Sequence, residues 1–226
     1  MQRTLLCGAL ILGSCVATPD SRPLEEQLLT SRQAAKVETP ISSGSAFPIS
    51  DIAWLTAWHV VEGWNAEFVS VAGFGVLEIV RLDGLDAAVL ITAPHGREPW
   101  PLADRAPRPG ERVYKSGFGQ GLHWWTEGLG SEDPERVAID IFPGDSGCPL
   151  FAADGSVVGI VVAVGQSRRG LIHHHCWIVP MSAVLAALPP GILEDGAEAP
   201  APPPAALTPS EEAWERFQKR RKELGV

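Results

Sequence analysis

The chain has 226 residues, 45% of them apolar and 20% charged, a globular composition that excludes general disorder, a collagen repeat and a multi-span membrane protein. Its 18 basic against 27 acidic side chains give a formal charge of −9, which excludes a nucleic-acid-binding surface, since that needs a basic stripe to displace counterions from phosphates. The 23 Gly and 20 Pro residues punctuate the chain as turns do in a β protein rather than in a helical bundle.

Residues 1–14 read as an export signal, with Arg3 followed by an apolar run from Leu5 to Leu12. The run is too short to cross a membrane, which takes about 20 apolar residues, and suits the core of a signal peptide. Leu12-Gly13-Ser14-Cys15 is similar to a bacterial lipobox. That resemblance implies that Cys15 becomes the lipidated mature terminus and tethers the chain to a membrane of the cell envelope; a plain secretory signal with a chance cysteine is the alternative. Cys7 then falls in the signal, leaving Cys148 and Cys176. These either form a disulfide, which an exported protein retains, or stand as two separately buried thiols.

Residues 15–40 read as a polar spacer, with a short helix over about Leu24 to Lys36. From 41 to 188 the pattern becomes short apolar runs separated by Gly, Pro and Asp: Ala53-Leu55, Phe68-Val71, Val76-Val80, Ala87-Ile91, Val137-Ile141, Val157-Val164 and Cys176-Val179. Such spacing predicts an all-β barrel or sandwich. Met181 begins a helix that Pro189-Pro190 stops. Residues 189–208 are a Pro/Ala-rich linker. Over 209–226 a C-terminal amphipathic helix is predicted, with a capping box of Thr208 and Glu211, acids early, bases late, and Trp214, Phe217 and Leu224 on one stripe. No internal repeat is visible.

Three segments carry chemistry when taken together. His59 sits in Leu55-Thr56-Ala57-Trp58-His59-Val60-Val61, Asp86 opens the apolar run Ala87-Leu90, and Ser146 lies in Pro143-Gly144-Asp145-Ser146-Gly147-Cys148. Separately, each is a common core histidine, turn acid or loop. Jointly they supply what acyl transfer needs: a hydroxyl nucleophile, an imidazole to take its proton, and a carboxylate to orient the imidazole. The glycine beside the serine lets backbone amides gather around a developing oxyanion. The order His, Asp, Ser separates this set from subtilisins and α/β-hydrolases.

On these residues the chain resembles the trypsin-like serine peptidases of the double β-barrel (chymotrypsin) fold, most of all the bacterial HtrA/Deg-type branch. The resemblance spans about residues 41 to 185. It extends to Gly44-Ser45-Ala46-Phe47, to Gly110-Glu111-Arg112-Val113 through Gly117-Phe118, and to Gly159-Ile160-Val161 and Trp177-Ile178-Val179-Pro180. It implies that His59 is the general base, Asp86 its orienting acid and Ser146 the nucleophile. The amides of Gly144 and Ser146 then form the oxyanion hole, a polypeptide is the substrate, and no cofactor or metal is used.

The chain also departs from the family. No PDZ-like segment follows the protease region, Cys148 replaces a usual glycine, and Trp58 precedes the histidine. Asp145 stands where digestive trypsins pair an acid with a newly cut amino terminus, but no Ile-Val-Gly-Gly start is present, so activation of that kind is not expected. Asp140, with Val161 and Val164, is the candidate substrate pocket. A carboxylate there favours Lys or Arg, and narrowing by Val164 favours small aliphatic side chains. His173-His174-His175 lacks a third ligand at metal-site spacing and reads as a solvated loop. A catalytically inactive peptide-binding module on the same fold is the alternative function.

Overall fold

The computed structural model describes residues 22–164 and 175–193. The export signal with Cys7 and Cys15, the pair His173-His174 and the predicted helix over 209–226 lie outside the described residues.

Among the described residues twelve strands form two closed six-stranded barrels. The first holds β1 (Ala35–Glu38), β2 (Ser43–Pro48), β3 (Ala53–Thr56), β4 (Ser70–Val71), β5 (Phe74–Arg81) and β6 (Ala88–Thr92). The second holds β7 (Arg112–Gly117), β8 (Trp124–Gly130), β9 (Arg136–Ala138), β10 (Pro149–Ala152), β11 (Val157–Val164) and β12 (Cys176–Pro180). Around the barrels the order is β1-β2-β3-β6-β5-β4 and, read from its first strand, β7-β8-β9-β12-β11-β10. One topology is therefore used twice, although no sequence repeat announces it. Closing each sheet on itself leaves no edge strand to pair with another chain.

The stretch 15–40 is not all spacer. A helix, α1 (Leu24–Thr30), shorter than the expected one, buries Leu28 in the core. β1 then closes the first barrel, pairing with β2 through Ala35↔Ala46 and with β4 through Val37↔Val71. Arg32 reaches the Gly155 carbonyl in the second barrel, and the Ala34 amide donates to Ser116 Oγ at 3.1 Å. The folded domain thus begins well before residue 41.

β11 shows why its apolar run is unbroken. Val158 and Val161 fill the second barrel, whereas Val157, Ile160 and Val162 belong to the cluster that fills the first barrel and continues between the two. A strand buried on both faces has no polar side to alternate with. Each such buried aliphatic side chain contributes about 1.5–3 kcal/mol. The helix α2 (Trp58–Val61) follows β3, and α3 (Met181–Ala187) packs Met181 and Val184 against β11 and β12.

Cys148 and Cys176 are both buried in the second barrel as free thiols, which decides against the disulfide. Burial pushes the Cys148 thiol well above its ordinary value, and pushes Cys176 up to about 12. Protonated thiols are poor nucleophiles. Iodoacetamide at mildly alkaline pH is therefore expected to spare both residues in the folded protein and to modify both in denaturant. Peptide mapping by mass spectrometry reads the result; alkylation of either one in the folded state contradicts their burial.

Candidate active site

His59 and Asp86 come together because β3 and β6 are antiparallel neighbours, paired through Leu55↔Val89 and Thr56↔Ala88. The chain leaves β3 just before His59 and enters β6 just after Asp86, so both residues lie at the same end of the first barrel. Asp86 Oδ2 lies 2.7 Å from His59 Nδ1, and Oδ1 accepts the His59 backbone N–H at 2.9 Å. That amide belongs to the first turn of α2, where a helix leaves its N–H groups without internal acceptors. Asp86 therefore holds both the ring and the backbone of His59. Burial raises the Asp86 carboxyl, but the hydrogen bonds from the His59 ring and amide outweigh it and leave it below its ordinary value.

A carboxylate depressed in this way stabilises the fold at pH above its unfolded value and loses that contribution as pH falls through the lower folded value. The two side chains are 41% and 36% exposed, so the contribution is screened by solvent. Asp86→Asn is expected to remove this part of the acid limb of stability, read by thermal melts against pH; an unchanged limb contradicts the assignment.

Ser146 lies on the turn between β9 and β10 in the second barrel, and that turn abuts the residues flanking His59. Gly44 separates them: a Cβ there would stand 2.7 Å from the Val60 side chain and 2.9 Å from the Ser146 carbonyl oxygen. Gly147 has φ +87°, and a Cβ on it would collide with the Ser45 carbonyl and Thr56 Oγ1. Only glycine tolerates both that backbone conformation and that approach. Among the described residues Ser146 Oγ makes no hydrogen bond to His59; catalytic hydrogen bonds in structures without substrate are often long or unmade.

The turn is held peptide by peptide. The Gln120 amide donates to the Pro143 carbonyl at 2.7 Å, and the Cys148 amide donates to the Asp145 carbonyl at 2.8 Å. In a planar trans peptide the C=O and N–H point in opposite directions. Pinning those two carbonyls therefore aims the Gly144 and Ser146 N–H groups away from the Gln120 and Cys148 amides that hold them. Neither amide donates to any group among the described residues. Gly144 itself has φ +103°, with the Phe118 carbonyl where a Cβ would sit. Gln120 adopts φ +55°, a conformation costing a non-glycine residue about 1–2 kcal/mol, and this local strain sits where its amide grips the turn.

Asp145 anchors the turn from inside the barrel. Its Oδ2 lies 2.6 Å from Lys115 Nζ and accepts the Phe142 amide at 2.8 Å, while Oδ1 accepts Trp124 Nε1 at 3.3 Å. The pair is sealed off, with side-chain exposures of 0% and 1%. The Trp124 ring lies 4.6 Å from the ammonium, close enough for a cation–π contact. Lys115 was not among the residues expected from sequence. The available signal was its position on the inward-facing register of β7 shared with Val113, where a charge demands a buried partner.

The candidate pocket residues divide. Val161 is 1% exposed within the second barrel's own cluster, so its side chain belongs to the core and not to a pocket wall. Its carbonyl accepts the Gly147 amide at 2.7 Å and its amide donates to Cys148 at 3.0 Å, so its backbone braces the serine turn. Asp140 is half-buried, and its carbonyl accepts Thr126 Oγ1 at 3.2 Å. Val164 ends β11 opposite Cys176. His175 is exposed just before β12.

Lys115→Met leaves the Asp145 carboxylate buried without its cation, and removing one partner of a buried pair costs about 3–5 kcal/mol. Urea unfolding is expected to show that loss, and the double variant Lys115→Met/Asp145→Leu to recover much of it. A single-variant loss below about 1 kcal/mol is the surface-pair range and contradicts the anchor.

The sequence profile of the trypsin-like peptidase domain matches residues 44–160, just over half of the chain. No curated protein matches it. Among solved structures, the Rv3671c protease from M. tuberculosis in its active form is similar at 22% identity and TM-score 0.60, covering 88% of this chain and 96% of that one. The HtrA-type protease AlgW with a tripeptide is similar at 21% identity and TM-score 0.54, covering 69% and 58%. The scabies mite inactivated protease paralogue S-I1 shares 14% identity at TM-score 0.58, covering 72% and 95%. At these identities the likeness is one of fold. The matched span runs from the glycine against the serine turn to the strand that braces it, and takes in His59, Asp86 and Ser146. The chain belongs to the trypsin-like peptidase family, serine-type peptide hydrolases built on paired β-barrels.

Proposed function

We propose that the protein is a serine endopeptidase in which His59, Asp86 and Ser146 form the catalytic triad and the amides of Gly144 and Ser146 form the oxyanion hole. The observation that carries this reading is the two-point hold of Asp86 on His59, beside a serine turn in which the Gly144 and Ser146 amides have no acceptor among the described residues.

In this reading Asp86 Oδ2 accepts a hydrogen bond from His59 Nδ1–H, which fixes the tautomer and leaves the Nε2 lone pair free for proton transfer. Ser146 Oγ attacks the scissile carbonyl carbon as its proton passes to Nε2. The carbonyl oxygen becomes an oxyanion, and the Gly144 and Ser146 N–H groups receive it. The imidazolium returns the proton to the leaving amine, the C–N bond breaks, and the acyl group stays on Ser146. Water then attacks the acyl carbon as its proton passes to the same imidazole, the acyl–Oγ bond breaks, and the imidazolium returns that proton to Ser146 Oγ as the acid leaves. Removing one oxyanion donor typically lowers kcat by about 10²–10³-fold.

Export and anchoring through a lipid on Cys15 belong to the same proposal, resting on Leu12-Gly13-Ser14-Cys15 after the short apolar run. The substrate is then a polypeptide at the cell envelope. A substrate library separates the two pocket specificities: Lys or Arg met by Asp140, against a small aliphatic side chain.

A second reading, a catalytically inactive binding module, is favoured by the likeness in fold to an inactivated paralogue. A fluorophosphonate reagent separates the two. Stoichiometric labelling of Ser146, lost in Ser146→Ala and in His59→Ala, is the expected result. Asp86→Asn is expected to lower kcat by about 10⁴-fold, the cost of the wrong imidazole tautomer in the standard triad. Folded protein that takes no label contradicts the peptidase and supports the binding module.

A further inference from the structure

Ser45 lies on β2 of the first barrel, opposite Lys36 on β1, yet three of its four polar contacts are made with the second barrel. Its amide donates to the Ser146 carbonyl at 2.8 Å. Its hydroxyl donates to the Gly144 carbonyl at 2.8 Å and accepts the Phe118 amide at 2.9 Å. Its own carbonyl accepts Thr56 Oγ1 at 2.7 Å. The residue is wholly buried, and every polar atom it has is used.

The placement of these bonds matters more than their number. One falls on the nucleophile's own carbonyl and one on the Gly144 carbonyl, so Ser45 grips the turn on both sides of Asp145. Gly144 has no side chain to limit its torsions, so its orientation depends on what holds the two peptides that meet at its Cα. The Gln120 amide holds the peptide before it through Pro143, and Ser45 Oγ holds the peptide after it. The same hydroxyl accepts the Phe118 amide and so fixes the start of the loop that presents Gln120. Ser45 Oγ therefore takes part in holding both peptides that set the Gly144 N–H direction, beside the Asp145 amide, which donates to the Phe142 carbonyl at 3.0 Å. A serine serving only to fill space would not need its hydroxyl bonded to two segments that converge on one peptide.

We propose that Ser45 Oγ is a positioning residue for the oxyanion hole, acting across the seam between the barrels to fix the direction of the Gly144 amide. It touches no substrate; it acts through the Gly144 carbonyl and the Phe118 amide. The proposal rests on the peptidase reading for its kinetic consequence, but not for its structural one.

The test is Ser45→Ala in the full chain, with two independent readouts. In kinetics, kcat is expected to fall about 10- to 100-fold, the loss that one or two unmade buried hydrogen bonds produce, with KM changed less than about twofold. The affinity of a peptide trifluoromethyl ketone, whose adduct oxygen needs the oxyanion donors, is expected to fall in parallel, while a product peptide binds as before. A purely structural role would instead lower the active fraction, leaving kcat per fluorophosphonate-titrated site unchanged, and that result overturns the proposal. In hydrogen exchange, the hydrogen-bonded amides of Phe118, Gln120, Phe142, Asp145 and Gly147 are expected to lose protection while the strands of both barrels keep theirs. Unchanged protection in that turn also overturns the proposal. Should Ser45→Ala not fold, Ser45→Cys keeps the volume, weakens both hydroxyl bonds and is read in the same way. If wild-type protein takes no fluorophosphonate label, the peptidase reading fails by itself, and hydrogen exchange still decides the role of Ser45.

Discussion

The site depends on a charge pair that never meets solvent. Lys115 and Asp145 face each other inside the second barrel at 2.6 Å, and taking two such ions out of water costs several kcal/mol for each. The cost is offset only because the carboxylate also accepts the Phe142 amide and the Trp124 indole, and the ammonium rests on that indole ring. Asp145 is thereby fixed at both oxygens, and the residue it precedes is Ser146. In digestive trypsins a new amino terminus meets this acid; here the cation comes from β7 of the same barrel. The direction of the serine turn follows from packing within the folded second barrel.

The second constraint is the seam between barrels. His59 and Asp86 belong to the first barrel and Ser146 to the second, so neither barrel alone holds all three residues of the proposed triad. Three small residues bring the two together. Gly44 lets the Val60 side chain and the Ser146 carbonyl approach, Gly147 lets its turn press on Ser45 and Thr56, and Ser45 ties the parts together with hydrogen bonds. The repeated strand order explains why a seam is available at all, since two similar closed barrels bury a flank of each against the other. The proposed chemistry then resides where the two flanks meet, on loops held by rigid staves.

Much of this was legible in the sequence, for identifiable reasons. Val157–Val164 reads as a strand because both of its faces are buried, and Gly144-Asp145-Ser146-Gly147 reads as a tight turn because glycine bounds it. His59, Asp86 and Ser146 read as a set because their chemistry has meaning only together, and that set is the proposed triad. What stayed hidden is equally specific. β1 is four residues long and alternates Ala35 and Val37 with Lys36 and Glu38, too short and too polar on one face to stand out from a spacer. Lys115 looks like a surface charge until its strand is closed into a barrel, because its partner lies 30 residues away. Val161 has the composition of a pocket wall, and only the barrel's curvature places it inside. The choice between a disulfide and two thiols for Cys148 and Cys176 is a matter of distance, which composition does not encode. The common topology of the two barrels left no trace in sequence because it is carried by strand pairing and not by shared residues.

In the proposed mechanism the turn over residues 142–147 already stands in its working form before substrate arrives. A crystal structure of the protein with a peptide trifluoromethyl ketone bound to Ser146, set beside the unliganded crystal structure, tests it most directly. The expected result is an adduct oxygen about 2.7–3.1 Å from the Gly144 and Ser146 amide nitrogens, with the Lys115 to Asp145 contact and the turn's backbone the same in both. A peptide between Pro143 and Gly144 that reverses its direction on binding, or an adduct oxygen that meets neither amide, would contradict it.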